Sequence, residues 1–139
     1  MDDITLPPDY KPTAREKFMN PKQVEYFRRK LLAWKSEILR DAQETLHHLQ
    51  EDEGQAPDLA DRATTESERA IELRTRDRQR KLIAKIDSAL RRIEDGSYGY
   101  CEESGDPISL ARLEARPIAT LSIEAQERHE RRERIYRDA

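Results

Sequence analysis

Two aspartates three residues apart, Asp58 and Asp61, are the side chains in this sequence whose spacing best suits chemistry. They follow a turn-forming segment at 53–57 and stand at the start of a predicted helix. Paired carboxylates there can project into a partner, but acids in a first turn also cap the helix and offset its dipole, a contribution of about 1 kcal/mol. Spacing alone favours capping, although the two roles are compatible.

The other reactive side chains form no catalytic or metal-binding pattern. His47 and His48 are adjacent, so on a helix they point to different faces and are not a metal-binding pair. The sequence contains no Gly-rich phosphate loop and no Ser-His-Asp or Cys-His arrangement. Its many carboxylates lie on predicted helices with no pocket around them. The sequence therefore predicts a protein that is not an enzyme.

Charge is strongly segregated along the sequence. Residues 41–72 contain ten acids against two arginines, residues 73–92 contain eight basic residues against two acids, and residues 22–40 contain six against two. A single charge run usually marks a solvated face, but separated charge favours a protein whose two ends meet different surfaces. The arginine-rich part of 73–92 suits nucleic acid or a phosphorylated ligand, although it has no interleaved aromatic residues for base stacking.

Helical periodicity positions these residues. After Asn20 as N-cap and Pro21 as the first helical residue, apolar side chains recur every three or four positions. They are Val24, Phe27, Leu31, Trp34, Ile38, Ala42, Leu46 and Leu49. A second helix is predicted from Asp58, after the turn at 53–57, to about Asp95. Its weaker stripe consists of Ala63, Ala70 and Ile71, then, beyond a polar gap, Leu82, Ile86, Ala89 and Ile93.

Two helices of roughly 30 residues joined by a short turn predict a long antiparallel coiled-coil hairpin in a mainly all-α protein. The hairpin is expected over residues 21–95, with its acidic tip at about 53–61. Residues 1–20 are expected to form an N-terminal arm that docks through Tyr10 and Phe18.

Residues 96–139 are expected to form a small globular module. Gly96 to Tyr100 ends the second helix, and Gly105-Asp106-Pro107 is predicted to form a turn. Ser122 is the predicted cap of a last helix that runs to about Tyr136.

Composition places the protein in a reducing compartment. Charged residues make up 40% of the chain and hydrophobic residues 35%, which suits extended helices better than a compact core. The single cysteine excludes an internal disulfide framework. No apolar run is long enough to cross a membrane, and the first residues lack the basic start and apolar stretch of a signal peptide. We therefore expect a cytoplasmic protein that is not bound to a membrane.

Four stretches in order carry a more specific pattern. They are residues 18–34, residues 57–63 with the sequence pattern Asp-x-x-Asp-x-Ala, residues 72–85, and residues 99–101 followed by 112–117. Together they resemble the DksA family of bacterial transcription factors. This resemblance extends over roughly residues 18 to 130.

The resemblance implies a role at bacterial RNA polymerase. DksA-like proteins place their coiled coil in the secondary channel, so the tip residues Asp58, Asp61 and Ala63 would approach the polymerase active site. The factor alters the stability of promoter complexes, and hence initiation, together with guanosine tetraphosphate in the stringent response. The positions that match the family's nucleotide contacts are Leu82, Lys85 and Arg116.

Two further expectations follow from the resemblance. Gln126 stands where the family often has a basic residue near the nucleotide, so the strength of the response to guanosine tetraphosphate is left open. The factor is expected to be a monomer that does not recognise a DNA sequence directly.

The departure from the family pattern concerns zinc. The family usually has four cysteines, but here the positions are Cys101, Ser104, Ser122 and Ala125. One thiolate cannot supply the four nitrogen or sulfur ligands of structural zinc, so we expect no metal. Cys101 is interpreted as a relic, with a redox-sensing thiol as the alternative, and nothing in the nearby sequence plainly lowers its pKa. The module would instead be held by the packing of Tyr100, Ile108, Leu113, Ile118, Leu121 and Ile123.

Two alternatives to this function remain at this stage. Tip acids could assist transcript cleavage by the polymerase, as in the similarly shaped Gre factors. The hairpin could also be an adaptor for another partner. The Asp-x-x-Asp-x-Ala pattern favours the role in initiation.

Overall fold

The computed structural model describes the backbone of residues 4–52 and 59–138 and the side chains of residues 4–48 and 62–137. Four helices follow one another along the chain: α1 (Pro21–Asp52), α2 (Leu59–Asp95), α3 (Leu110–Ala115) and α4 (Ile123–Asp138). Within the described ranges the only β-type pairing is an isolated bridge between Tyr100 and Pro107. The predicted all-α fold is therefore confirmed. None of the described helices combines the length and the apolar character that crossing a bilayer requires.

Local signals set the start of α1. The N–H of Gln23 donates to Oδ1 of Asn20 at 3.0 Å, and Pro21 is the first helical residue. This is the predicted N-cap, which satisfies a backbone donor that has no partner inside the helix.

The chain divides into two compact units, and residues Leu32–Asp87 form one of them. In this unit α1 and α2 pair in opposite directions. Nζ of Lys35 lies 2.7 Å from Oδ1 of Asp87, while Ala42, farther along α1, faces Leu73 and Ile83, which precede Asp87 on α2. This pairing confirms the antiparallel hairpin.

The seam between the two helices changes character along its length. Ile38 and Ile86 are buried, and Ile83 is half-buried. Going back along α2 from Ile83, the half-buried positions recur at spacings of four and three, as in a coiled coil. They are Gln79, Arg76, Glu72, Arg69 and Thr65. The part of the seam toward the start of α2 is therefore polar, and we call these five residues the polar seam.

The predicted stripe on the first half of α2 was wrong. Ala63, Ala70 and Ile71 are exposed, with Ile71 at 59%. The reason is the phase of the helix. Continuing the pattern from Ile86 in steps of three and four leads to the polar seam rather than to these three residues.

The second unit comprises Met1–Leu31 and Ser88–Ala139. Its core consists of Phe27, Leu31, Ala89, Tyr98, Cys101, Ile108, Leu113, Ile118, Ala119 and Ala125. Of the six residues predicted to hold the module by packing, Ile108, Leu113 and Ile118 are buried. Leu121 is half-buried, while Tyr100 is 36% and Ile123 48% exposed. Tyr98 takes the central place instead, and its hydroxyl donates to the carbonyl of Pro117 at 2.7 Å.

Turns in this unit follow the predicted glycine signals. Gly96, with φ of 84°, ends α2, and the N–H groups of Ser97 and Tyr98 both donate to the carbonyl of Arg92. Gly105, with φ of 76°, closes the predicted turn by donating its N–H to the carbonyl of Cys101 at 2.9 Å. Both glycines adopt a backbone conformation that other residues rarely take.

Hydroxyl groups cap the last two helices. The N–H of Ala125 donates to Oγ of Ser122 at 3.2 Å, which confirms the predicted cap of α4. The short helix α3 was not predicted. Ser109 caps it by accepting the N–H of Arg112 at 3.2 Å.

The N-terminal arm is fastened to the start of α1 and to the region after α2. The buried side chain of Gln23 accepts the N–H of Met19 at 2.8 Å and donates to the carbonyl of Thr13 at 3.3 Å. Met19, with φ of 51°, packs against Gly99. As expected, Tyr10 and Phe18 dock, through edge-to-face contacts with Tyr26 and Tyr100 respectively. The predicted three-part division of the chain stays a prediction.

Candidate functional site

The predicted tip lies at the start of α2, at the edge of the described structure. Asp58 lies outside the described residues. Asp61 belongs to the first turn of α2, but its side chain also lies outside them. Ala63 is described and its side chain is exposed. The proximity of the two carboxylates therefore stays a prediction, and so does the cap at Asp58.

Farther along α2, Leu82 and Lys85 lie three residues apart and so share one side of the helix. Leu82 is half-buried and Lys85 is exposed. No carboxylate among the described residues pairs with the Lys85 ammonium. An apolar contact beside a free cation suits a ligand that has both a flat body and phosphate groups.

Part of the surrounding positive charge is neutralised within the hairpin. Asp77 binds both Arg80 and Lys81, the latter at 3.1 Å. Hydrogen bonds from Lys81 and then Arg80 lower the pKa of the Asp77 carboxyl. Lys35 is similarly paired with Asp87. The count of basic residues in the sequence therefore overstates the charge that this stretch offers to a ligand.

Arg116, the third predicted nucleotide contact, lies in the other unit. It is the C-cap residue of α3, its N–H donates to the carbonyl of Arg112 at 2.7 Å, and its side chain is exposed. Leu82 and Lys85 belong to the unit Leu32–Asp87, so the joint site of the three residues stays a prediction.

Several contacts hold α3, and hence Arg116, in place. Glu114 accepts the hydroxyl of Tyr26 at 2.7 Å and pairs with Nζ of Lys30 at 2.6 Å. Burial and the Glu114 hydrogen bond raise the pKa of Tyr26 to about 12. On the other side of α3, Nε of Arg112 donates to the carbonyl of Leu121 at 2.8 Å. No local sequence pattern indicates these anchoring contacts, because their partners are up to 88 residues apart.

The four positions of the family's zinc site lie together in the module. The thiol of Cys101 is hydrogen-bonded by the Ser104 hydroxyl and by the N–H of Ser122, and Oγ of Ser122 accepts the N–H of Ala125. Ser104 Oγ likewise accepts the N–H of Asp106 at 3.3 Å. Ala125 is fully buried and offers only a methyl group.

This arrangement does not fit structural zinc. Zinc needs four nitrogen, sulfur or carboxylate ligands, whereas the four positions supply one thiol, two hydroxyls that already accept backbone hydrogen bonds, and a methyl group. Across the described parts of the chain, no cluster of three or more His, Cys, Asp and Glu side chains could hold a metal.

The pKa of the Cys101 thiol differs from the predicted one. The thiol is 3% exposed, and this burial would raise its pKa. Hydrogen bonds from the Ser104 hydroxyl and from the N–H groups of Ser122, Ser104 and Glu103 outweigh burial and lower the pKa of the thiol to about 6. The prediction that nothing lowers this pKa was therefore wrong. These donors meet the thiol only in the folded module, so no local sequence pattern could have indicated them.

Comparison with known proteins gives a consistent result. A family model described as "DnaK suppressor protein DksA, N-terminal domain" matches residues 23–93, and one described as "Prokaryotic dksA/traR C4-type zinc finger" matches residues 96–131. The second match spans a segment that contains one cysteine, Cys101.

Relatives from two bacteria match over most of their length. The chain is 70% identical over 130 residues to the RNA polymerase-binding transcription factor DksA of Caulobacter vibrioides, covering 94% of this chain and 92% of the relative. It is 43% identical over 125 residues to the protein of the same name from Escherichia coli K12, covering 90% and 83%. The solved structure of transcription factor DksA2 from Pseudomonas aeruginosa matches with a TM-score of 0.81 and 41% identity, covering 89% of this chain and 94% of that one.

Proposed function

The chain belongs to the DksA family, and from that premise we propose that it is a transcription regulator that binds bacterial RNA polymerase directly and has no catalytic activity of its own. The observation that carries this proposal is the match over residues 23–131, which spans the hairpin and the module together. The relatives named above are RNA polymerase-binding transcription factors. The site of action is then the cytoplasm, and the acting species is a monomer that does not read a DNA sequence.

The working end of the protein is the acidic tip of the hairpin. In this proposal the tip enters the secondary channel of the polymerase, and Asp58, Asp61 and Ala63 approach the active site. The segregation of charge supports this orientation. Ten acids against two arginines lie within residues 41–72, and a strongly acidic end is suited to a site that works with divalent metal ions rather than to gripping phosphate.

The second proposed contact is guanosine tetraphosphate at the interface with the polymerase, with Leu82, Lys85 and Arg116 as the contacting residues. Support comes from the exposure of Lys85 and Arg116, neither of which is paired with a described carboxylate. Gln126 donates to Glu130 at 3.3 Å instead of offering a cation, so we expect a weaker response to the nucleotide than a basic residue would give.

The module is proposed to keep its fold without zinc. The hydroxyls of Ser104 and Ser122 are engaged by backbone N–H groups, and Ala125 fills the fourth position with buried apolar volume. Metal analysis of the purified protein tests this directly. Near-stoichiometric zinc would contradict it.

The decisive experiment is transcription in vitro from a responsive promoter, with and without guanosine tetraphosphate. Asp61→Asn should leave polymerase binding nearly intact but remove the effect on transcription, because only the tip charge changes. Glu66→Gln is the matched control, since it removes one exposed acidic charge from α2 outside the tip pair. Regulation that survived Asp61→Asn, or was lost equally in both variants, would show that the tip mechanism is wrong.

The two predicted tip acids also suit a second candidate function, which is transcript cleavage. Two carboxylates near the polymerase active site could assist transcript cleavage by holding a metal ion. Incubating the protein with stalled elongation complexes separates the two roles. Shortened transcripts that depend on Asp61 would favour the cleavage role, and intact transcripts favour the role in initiation.

A further inference from the structure

One side of the hairpin unit carries a row of exposed leucines. Leu39, Ala42 and Leu46 lie on one face of α1, because they are separated by three and four residues. Leu39 is 46% and Leu46 is 40% exposed. Leu32, seven residues before Leu39, continues the row and is 37% exposed. The leucine side chains are exposed and lie beside the seam, whereas Ala42 is half-buried and faces α2.

Within the row, Ala42 faces a groove between the two helices. Ala42 lines a cavity of about 370 Å³ together with residues of α2, among them Leu73, Arg76, Arg80 and Ile83. Leu73 is 54% exposed. We call the surface made by Leu39, Ala42, Leu46 and Leu73 the leucine face.

This concentration of exposed apolar groups is unusual for a chain that is 40% charged. A single exposed leucine needs no explanation, but several on the same face of one helix bring apolar surface together, and apolar patches mark interaction sites. These leucines are not needed to pair α1 with α2, because other residues occupy the nearby seam positions.

The charges around the leucine face indicate what kind of partner it fits. Arg80 is already paired with Asp77. Arg76 lines the same cavity and has no carboxylate partner among the described residues. A partner that supplies a carboxylate there would complete the site, because arginine recognises carboxylates through several parallel hydrogen bonds.

A second copy of the chain fits this surface poorly. In a two-fold symmetric dimer the same patch is used twice, which would bring the Arg76 cations of the two copies, unpaired among the described residues, to one interface. Like charges at an interface oppose association. The occupant is therefore a different chain.

We propose that the leucine face docks an amphipathic helix of a partner protein, with leucine-type residues along one side and carboxylates beside them. A third helix laid into the groove between two helices is a common mode of recognition. Leu39 and Leu46 are about 10 Å apart along α1, which corresponds to two turns of the incoming helix.

The leucine face differs from the proposed nucleotide contacts. Leu82 follows Leu73 by nine residues, or two and a half turns, so the two side chains project from opposite sides of α2. The proposal therefore stands independently of the response to guanosine tetraphosphate.

The test uses the full chain and synthetic helical peptides. The first peptide carries leucine at positions i, i+3, i+4 and i+7 with flanking glutamates, and the second has lysine in place of every glutamate. Fluorescence anisotropy should show saturable binding of the glutamate peptide and binding about tenfold weaker of the lysine peptide. Leu39→Gln and Leu46→Gln should each weaken binding about fivefold, because each removes apolar area from the contact.

Ile71→Gln is the matched control. Ile71 is the more exposed side chain at 59%, and it lies two residues from Leu73, so it projects from a different side of α2. This variant should bind the glutamate peptide as the unaltered chain does. Circular dichroism should show the same helix content for all three variants, because the substituted side chains lie outside the seam.

Several results would overturn the proposal. They are the absence of saturable binding, equal affinity for the two peptides, or a loss of binding in Ile71→Gln as large as in Leu39→Gln. Sedimentation adds another. If the unaltered chain forms a dimer that Leu39→Gln converts to monomers, the leucine face is an interface between copies of this chain.

Discussion

The polar seam makes a specific prediction about local stability. Oε1 of Gln79 is buried and has no hydrogen-bond partner among the described protein atoms, and the same is true of Arg69 Nε and Glu72 Oε2. Gln79 lies at a seam position close to Ala42 and Ile83. Gln79→Leu should therefore stabilise this part of the hairpin, since it replaces an unpartnered polar group by an apolar one of similar size.

The magnitude follows from two contributions. Relieving an unsatisfied buried acceptor is worth roughly 1–3 kcal/mol, and a buried leucine adds apolar contact. Gln79 is only half-buried, so we take the lower end and expect a gain of about 1 kcal/mol. Leucine and glutamine have similar helix propensities, so that effect adds little.

Amide hydrogen exchange measures this gain where it occurs. Backbone amides of α2 between residues 65 and 80 should exchange about fivefold more slowly in Gln79→Leu, which corresponds to about 1 kcal/mol. Gln43→Leu on α1 is the control, because Gln43 is exposed and its replacement should leave the exchange rates unchanged. Unchanged or faster exchange in Gln79→Leu would refute the idea that the polar seam weakens the hairpin.

Two further predictions concern the module. Gly99→Ala should lower the free energy of unfolding by about 2 kcal/mol, because Gly99 has φ of 91° and a Cβ there would lie 3.1 Å from Met19. Gly96→Ala is the control and should lower it by only about 1 kcal/mol, because Gly96 has φ of 84° but open space around it. Equal losses in urea titrations would contradict the close contact. The pKa of the Cys101 thiol is about 6 in the folded chain and about 8.5 in an unfolded chain. The thiolate should therefore stabilise the fold above about pH 8.5, and this contribution should be lost as the pH falls toward 6. Thiolate absorbance should show a titration midpoint near pH 6, and Ser104→Ala should raise that midpoint. A midpoint near about pH 8.5 in the unaltered chain would refute the hydrogen-bond account.

Helix boundaries were predictable because their signals are local. Asn20 and Ser122 carry side-chain oxygens that cap the following turn, and Gly96 supplies the backbone conformation that ends α2. Each signal depends on a few neighbouring residues, so it can be read from the sequence. The six-residue helix α3 was missed because it is too short to display a helical period.

Packing was less predictable, because it depends on the phase of each helix and on distant partners. Ala70 and Ile71 are apolar, yet the coiled-coil phase that begins at Ile86 leaves them exposed. In the module the choice between Tyr98 and Tyr100 depends on which ring can reach the carbonyl of Pro117, 19 residues away from Tyr98. The lowered pKa of the Cys101 thiol has the same origin in groups that meet only after folding.

The way the N-terminal arm is fastened has a consequence for the order of events during synthesis. Met19 and Phe18 leave the ribosome early, but Gly99 and Tyr100, against which they pack, are made about 80 residues later. At roughly 5–20 residues per second the arm waits on the order of 4–16 s for these partners. The arm is therefore translated before the hairpin but reaches its final place only after the hairpin has been made.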